Sequence, residues 1–388
     1  MQTRELLFKL VREAVLDGEP TRVGKLSVEE KEKLYQLSSA HEIAHVVGGL
    51  LQKSGNLADD EPSKKFQKAI NVSYFRYVQI QNALQNISNL LEKAEIPFVP
   101  LKGAVIRSLY PDPALRTSCD IDILVKKEQL EKAVAALVAG GLVAHKRTNS
   151  HDIPLDTVDH VHLELHFGLT EGDETMVALL EDAWEHTYPQ KENGYCHSFT
   201  NEFFVLHQIV HMLTHFVCGG CGIRPFLDLY LIRQKMPYDE AALKAQLEKA
   251  GILTFYENVV LLANAWFGNG EHTPLTLQME DYLLRGGVYG TMENRARNTV
   301  AKHGKVKHFF AMLFPPAVSM KKRYTAAEKH PILLPWFYVW RVLCFIIKPY
   351  AKTKVKIHLE VAKAGKTNTL KQDDEMMKQL KVQNHQLL

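Results

Sequence analysis

Residues 96–125 read IPFVPLKGAVIRSLYPDPALRTSCDIDILV, and the last six of them, Asp120-Ile121-Asp122-Ile123-Leu124-Val125, decide how the rest is read. This segment has the composition of a buried β-strand. Side chains alternate between faces along a strand, so Asp120 and Asp122 point one way and Ile121 and Ile123 the other. Two carboxylates side by side on an apolar strand repel each other and resist desolvation. A divalent cation removes both costs, and hard oxygen donors suit Mg²⁺. A polar strand face in water is the blander alternative. Upstream, Ile96–Leu101 reads as a short strand running into Lys102-Gly103 and an apolar helical stretch, Ala104–Tyr110. A strand, a glycine turn and a helix start offer backbone N–H groups to a phosphate, and Lys102 adds a positive charge. Arg116, four residues before Asp120, is placed to meet the same ligand, with Thr117 and Ser118 as hydroxyl donors. A solvated loop arginine is the alternative.

Downstream, His160-Val161-His162-Leu163-Glu164-Leu165-His166-Phe167 alternates as a strand does. Val161, Leu163, Leu165 and Phe167 form its apolar face, and His162, Glu164 and His166 the polar one. Glu164 on a neighbouring strand completes a three-carboxylate set with Asp120 and Asp122. Such a set can hold two metal ions, one activating a hydroxyl and one clamping a triphosphate. His166, on the same face, is placed with the nucleotide. The alternative for Glu164 is a solvated edge-strand residue.

Lys102-Gly103, Arg116, Asp120-x-Asp122 and Glu164 together resemble the nucleotidyltransferase superfamily that includes DNA polymerase beta. Within it the likeness is to a bacterial group of uncharacterised nucleotidyltransferases often found with polysaccharide-biosynthesis genes. PLKGAVIRSLYPDPALRTSCDIDILV, HLELHFGL and IRPFLDLYL carry it, with weaker similarity through GGVYGT and LFPP. The resemblance implies an α+β fold, a small mixed sheet embedded in a mainly helical chain, and transfer of a nucleoside monophosphate from an NTP. It implies Asp120 and Asp122 as Mg²⁺ ligands (with Mn²⁺ as a substitute), Glu164 as third carboxylate and candidate general base, and Gly103 in the phosphate turn. It also puts Arg224 and Asp228 at the opening of a helix beside the nucleotidyl site. Arg224 can offer a guanidinium fork to phosphate, and Asp228 can orient Arg224 or a histidine. A structural ion pair between helices is the alternative for these two. The chain departs from the superfamily where a Gly-Ser turn is usual and Lys102-Gly103-Ala104 stands instead.

The 388 residues leave room for two or three domains with a full core. Five cysteines, an odd number, give no disulfide framework, so reduced thiols and a cytoplasmic setting are expected. The opening residues MQTRELLFKLVREAVLDGEP read as an amphipathic helix with acids throughout rather than a signal peptide. No apolar run is long enough to span a bilayer.

Four regions are expected. Residues 1–94 are helical, with helices at Ser27–Ser38 and Ala40–Lys53, a capping box at Ser27-Val28-Glu29-Glu30, a linker at Asn56–Ser63 and a long helix over Lys64–Ala94. Residues 95–170 form the nucleotidyltransferase core, whose helix Lys127–Ala139 ends at Gly140-Gly141. Residues 171–300 are helical from Glu174 and complete the cleft. Residues 301–388 hold 17 Lys+Arg against 5 Asp+Glu, a net charge of +12 on a chain of +3 overall, leaving −9 on residues 1–300. This basic region contains an amphipathic helix over residues 335–348, read first as docked on a core or dimer partner and otherwise as lying at a membrane interface, and after Thr367 a flexible tail or loose helix. It suits an anionic partner, nucleic acid or a membrane surface, or else packs on the acidic body.

His207, His211 and His215 share one helix face, and Cys218 and Cys221 follow as C-x₂-C. His211, His215, Cys218 and Cys221 are zinc-type ligands, although their spacing is too compact for a known finger. Histidines that line the cleft, or that are hydrogen-bonded helix residues, are the preferred alternative. The sequence thus points to an Mg²⁺-dependent nucleotidyltransferase acting on an NTP and an acceptor hydroxyl of a sugar, small metabolite, protein or RNA. A non-catalytic nucleotide sensor and a tRNA-modifying toxin are the rivals.

Overall fold

In the computed structural model of the protein, the described residues are 3–16, 23–145, 151–169, 173–288, 330–347 and 368–385, with single positions between 314 and 327. They fall into two compact units, Met1–Leu213 with Ile223–Thr276, and Thr214–Gly222 with Leu277–Leu388.

The first unit opens with α1 (Thr3–Val15), α2 (Val28–Ala40), α3 (Ala44–Lys53) and the long α4 (Glu61–Lys93). Ser27 and Glu30 form the expected reciprocal capping box of α2. The linker read at Asn56–Ser63 is shorter than expected. Asp60 accepts the Ser63 amide and Pro62 sits in the first turn, where its missing N–H costs nothing, so the helix starts at Glu61. Lys31, 3% exposed, reaches from α2 to Asp60 and Ser63 and is neutralised there.

The sheet then builds from β1 (Phe98–Pro100), the one-turn α5 (Gly103–Ile106), β2 (Asp120–Val125), α6 (Leu130–Ala139), β3 (Val143–Ala144), β4 (Asp152–Asp156) and β5 (His162–His166). Its order is β1-β2-β5-β4-β3. β2 and β5 are parallel, and the other pairs are antiparallel. Ile121, Ile123, Val125, Leu163, Leu165 and Leu155 turn one face onto Ile80, Ile87 and Leu91 of α4 and Ala133 and Leu137 of α6. That single apolar layer fixes the register, because a one-residue slip would bury Asp122 in it. Gly141, at φ 98°, supplies the left-handed residue that ends α6.

After α7 (Glu174–Leu180) the chain is not uniformly helical, contrary to expectation. A hairpin of β6 (Thr187–Pro189) and β7 (His197–Phe199) intervenes. Its turn carries Asn193 at φ 58° before Gly194, an Asn-Gly turn signal. Its return arm is held against the core by Tyr195 and Cys196 amides donating to Glu92, and by Phe98 donating to the Tyr195 carbonyl. Helices α8 (Asn201–Val217), α9 (Arg224–Lys235), α10 (Glu240–Lys249) and α11 (Leu253–Phe267) follow, then α12 (Pro274–Gly286). α9 and α11 pack through Phe226 and Trp266, and Phe8 of α1 stacks on Trp266 at 4.5 Å.

The second unit, taken by itself, contains α13 (Leu334–Ile347) and α14 (Asn368–Gln379). Tyr282 donates to the Phe216 carbonyl, Arg285 pairs with Asp373 at 2.8 Å, and Met376, Met377, Leu380 and Val382 are buried. No helix among the described residues is long and apolar enough to cross a membrane. Of the basic C-terminal region, residues 301–313, 348–367 and 386–388 and several positions between 316 and 329 lie outside the described residues.

Candidate active site

The parallel register pairs Asp120 with His162, Asp122 with Glu164 and Leu124 with His166. Alternation then puts Asp120, Asp122, His162, Glu164 and His166 on the sheet face opposite the apolar core. Nε2 of His166 lies 3.1 Å from Oδ1 of Asp122 and 3.4 Å from Oε2 of Glu164. Ligand atoms of Asp122, Glu164 and His166 all fall within 4.8 Å of one another. Asp120 flanks this group along β2 without joining it. Asp122 is 6% exposed and His166 4%, while Glu164 is half-buried.

Charge in this group is finely set. Burial alone would raise the Asp122 carboxyl, but the Lys102 ammonium and the His166 hydrogen bond outweigh it and hold it far below the usual range. Burial likewise opposes a charge on His166, but its hydrogen bonds to Asp122 and Glu164 prevail and push it up to about 9. Hydrogen bonding from His166 lowers Glu164. Asp120 is raised instead, first by burial and then by Asp122, with Lys102 and Arg224 offsetting only part of this. The two aspartates are therefore inequivalent: one is fixed as an anion, and the other gains most from an added positive charge.

Lys102 reaches Asp122 at 3.1 Å from a backbone at φ 46°, ψ −113°, a conformation that L-residues rarely adopt. The amide of Leu101 donates to the Asp122 carbonyl, which brings this turn onto β2. The helix after it is one turn long. The Ala104, Val105 and Ile106 amides are already bonded to the Leu101 and Lys102 carbonyls. They are not the open N–H cradle that the sequence suggested. Gly103 keeps the turn close to its neighbours: a Cβ there would stand 3.3 Å from Nη1 of Arg116 and 3.7 Å from Cβ of Ser118.

Arg116 is not a solvated loop residue. It is 8% exposed, and its Nε donates to both oxygens of Asp228, at 2.9 and 3.0 Å. Tyr110 donates to the same carboxylate at 2.7 Å. Arg107, which the sequence reading passed over, completes the support. Its Nε donates to the Arg116 carbonyl and its Nη2 to Ser118, whose hydroxyl donates to the Asp120 carbonyl. Arg224 donates to the Thr117 carbonyl at 2.9 Å and lies 3.5 Å from Glu42. So Lys102, Gly103, Arg116, Ser118, Arg224 and Asp228 are brought to one loop system before β2. Within it Arg116 and Asp228 neutralise each other, and Lys102 is the cation that reaches the carboxylates.

Two carboxylates and one imidazole, with a third carboxylate beside them, suit a divalent ion such as Mg²⁺ or Mn²⁺, the imidazole favouring Mn²⁺. Among the described residues no second group of this kind occurs. Cys221 is buried, which raises its thiol well above the ordinary range and disfavours a thiolate.

A family model described as uncharacterised nucleotidyltransferase matches residues 27–268, more than half of the chain. The chain belongs to this nucleotidyltransferase family. No curated protein and no solved structure matches it. The family match runs from the capping box of α2 to the end of α11. It therefore takes in the polar sheet face, the Lys102 turn and the helix that carries Arg224 and Asp228. A further row of this nucleotidyltransferase was not singled out from sequence. Asp156 accepts from His162 at 2.8 Å and from His145 at 2.7 Å, extending the polar face outward from Asp120. The alternation of His162 with Glu164 placed it on that face, but its partner comes from another strand.

Proposed function

We propose that the protein transfers a nucleoside monophosphate from an NTP to an acceptor hydroxyl, releasing pyrophosphate. One observation carries this reading: within the family-matched segment, Asp122, Glu164 and His166 converge to within 4.8 Å, and Asp120 stands beside them on the same sheet face. Asp122, Glu164 and His166, joined by Asp120, would hold a divalent cation, Mg²⁺ or Mn²⁺. Such an ion would supply the positive charge that phosphate oxygens need and would sharpen the acidity of the acceptor hydroxyl.

The chain's own groups do the rest. Lys102, on a strained turn against Asp122, is positioned to meet triphosphate charge. Arg224 stands next along the same loop system. Arg116, Asp228, Tyr110 and Arg107 fix the backbone that leads into Asp120, so the carboxylates need no reorganisation when substrate arrives. Asp120, the carboxylate most raised by its surroundings, and Glu164 are the candidate acceptors for the proton of the attacking hydroxyl. The acceptor belongs to the sugar, small-metabolite, protein or RNA classes. Glu164 lies directly opposite Asp122, which speaks against a purely nucleotide-sensing role.

The test is pyrophosphate release from each common NTP with Mg²⁺ or Mn²⁺ and cell extract as acceptor, compared with an Asp120→Asn/Asp122→Asn variant. Release that the variant lacks supports transfer. Cation-dependent NTP binding without release would replace it with the sensor reading.

A further inference from the structure

Helix α13 carries an apolar face that the other described residues of its unit leave exposed. Trp336 is 65% exposed, Val339 53%, Trp340 45% and Leu343 40%. These positions are i, i+3, i+4 and i+7 and span an arc of about 100° on a helix. Just before them Ile332 is 87% exposed. The opposite side is engaged: Phe337 stacks on Tyr324 at 4.6 Å, and Tyr338 donates to the Pro315 carbonyl. An apolar groove lined by Phe314, Pro335, Tyr338, Val339, Val342 and Leu343 continues the exposed face around the helix. At 14 residues α13 is about 21 Å long, short of the ~30 Å hydrocarbon core of a bilayer.

We propose that this face docks on an anionic lipid surface, with α13 lying in the plane of the head groups. Three observations choose lipid over a second copy of the chain. The stripe has two tryptophans one turn apart, the side chain whose amphipathic ring settles at the head-group level. Basic residues flank it in sequence, Lys321, Lys322 and Arg323 before it and Lys348, Lys352, Lys354 and Lys356 after it. Finally, residues 301–388 carry a net charge of +12, so pairing two such regions would set like charges together, whereas an anionic bilayer would be attracted. The stripe supplies the apolar insertion and the lysines the electrostatic hold, the two signals that stable interfacial binding needs. This inference does not rest on nucleotidyl transfer and stands or falls separately.

The test is co-sedimentation of the full chain with vesicles of equal parts phosphatidylcholine and phosphatidylglycerol, beside phosphatidylcholine alone. Binding to the anionic vesicles is expected, together with quenching of tryptophan emission by acyl-brominated lipid. Trp336→Ser/Trp340→Ser should weaken binding by about tenfold or more, and Val339→Ser/Leu343→Ser should weaken it too. Circular dichroism checks that both variants are folded. No binding to either vesicle, or equal binding by wild type and both folded variants, overturns the proposal. So does a concentration-dependent dimer, lost in the variants, from a protein that ignores lipid.

Discussion

His166 bridges two carboxylates: its Nε2 sits 3.1 Å from Asp122 and 3.4 Å from Glu164, where a charged imidazole ring holds β2 and β5 together at the centre of the site. In protein stripped of divalent ions by a chelator, that ring should titrate near pH 9 rather than near 6.5. The folded value lies above the unfolded one. Its stabilising contribution is therefore complete below pH 6.5 and is lost as pH rises through about 9. Urea midpoints across that window should fall for the wild type relative to His166→Gln. Parallel curves would refute the bridge.

Cation binding should compete with that proton. Mn²⁺ affinity, read from the paramagnetic resonance of free Mn²⁺, should rise with pH up to about 9 in the wild type. Asp122→Asn should weaken it by about tenfold or more. An unchanged affinity in that variant would remove Asp122 from the ligand set.

Lys102 combines a strained backbone with a charge that Asp122 needs. Glycine tolerates φ 46°, so Lys102→Gly should relieve strain of order 1–3 kcal/mol while removing the ammonium. Lys102→Ala loses the same ammonium without that relief, so Lys102→Gly should be the more heat-stable of the two, while NTP affinity and turnover fall in both. Equal stability of the two variants, with turnover intact, would contradict both roles.

Arg116 and Asp228 form a buried pair between positions 112 residues apart. Truncating either leaves the other charged and uncompensated, at a cost of about 3–5 kcal/mol. Arg116→Ala and Asp228→Ala should each lower the denaturation midpoint strongly, and the double variant should lose clearly less than their sum. Additive losses would show that the two side chains act independently.

Much of this arrangement was legible because it is local. The Asp120–Val125 strand follows from alternation, the α2 start from Ser27 and Glu30, and the end of α6 from Gly140-Gly141. The β6–β7 hairpin was missed although Asn193-Gly194 marks its turn, because strands of three residues leave no period to read. The tertiary links were beyond reach for a different reason. Arg116 stands four residues before Asp120, which suggested a ligand-facing cation, but its buried partner comes from α9. The parallel pairing of β2 with β5 sets Glu164 opposite Asp122, and alternation within the strands excludes a one-residue slip but not a two-residue one, so it does not single out that partner. Arg107 looked like one more residue of an apolar stretch until the carbonyl of Arg116 came to meet it.

The pairing of Arg116 with Asp228, reinforced by Tyr110, has a bearing on how this protein can be dissected. A fragment cut after β5 would keep every carboxylate of the sheet yet strip the counter-charge from an arginine buried just ahead of β2. A piece that keeps this pair intact beside its acidic strand therefore extends at least into α9. Shortened versions for crystallography or directed evolution should be trimmed from the far end of the chain, never at the boundary of the sheet.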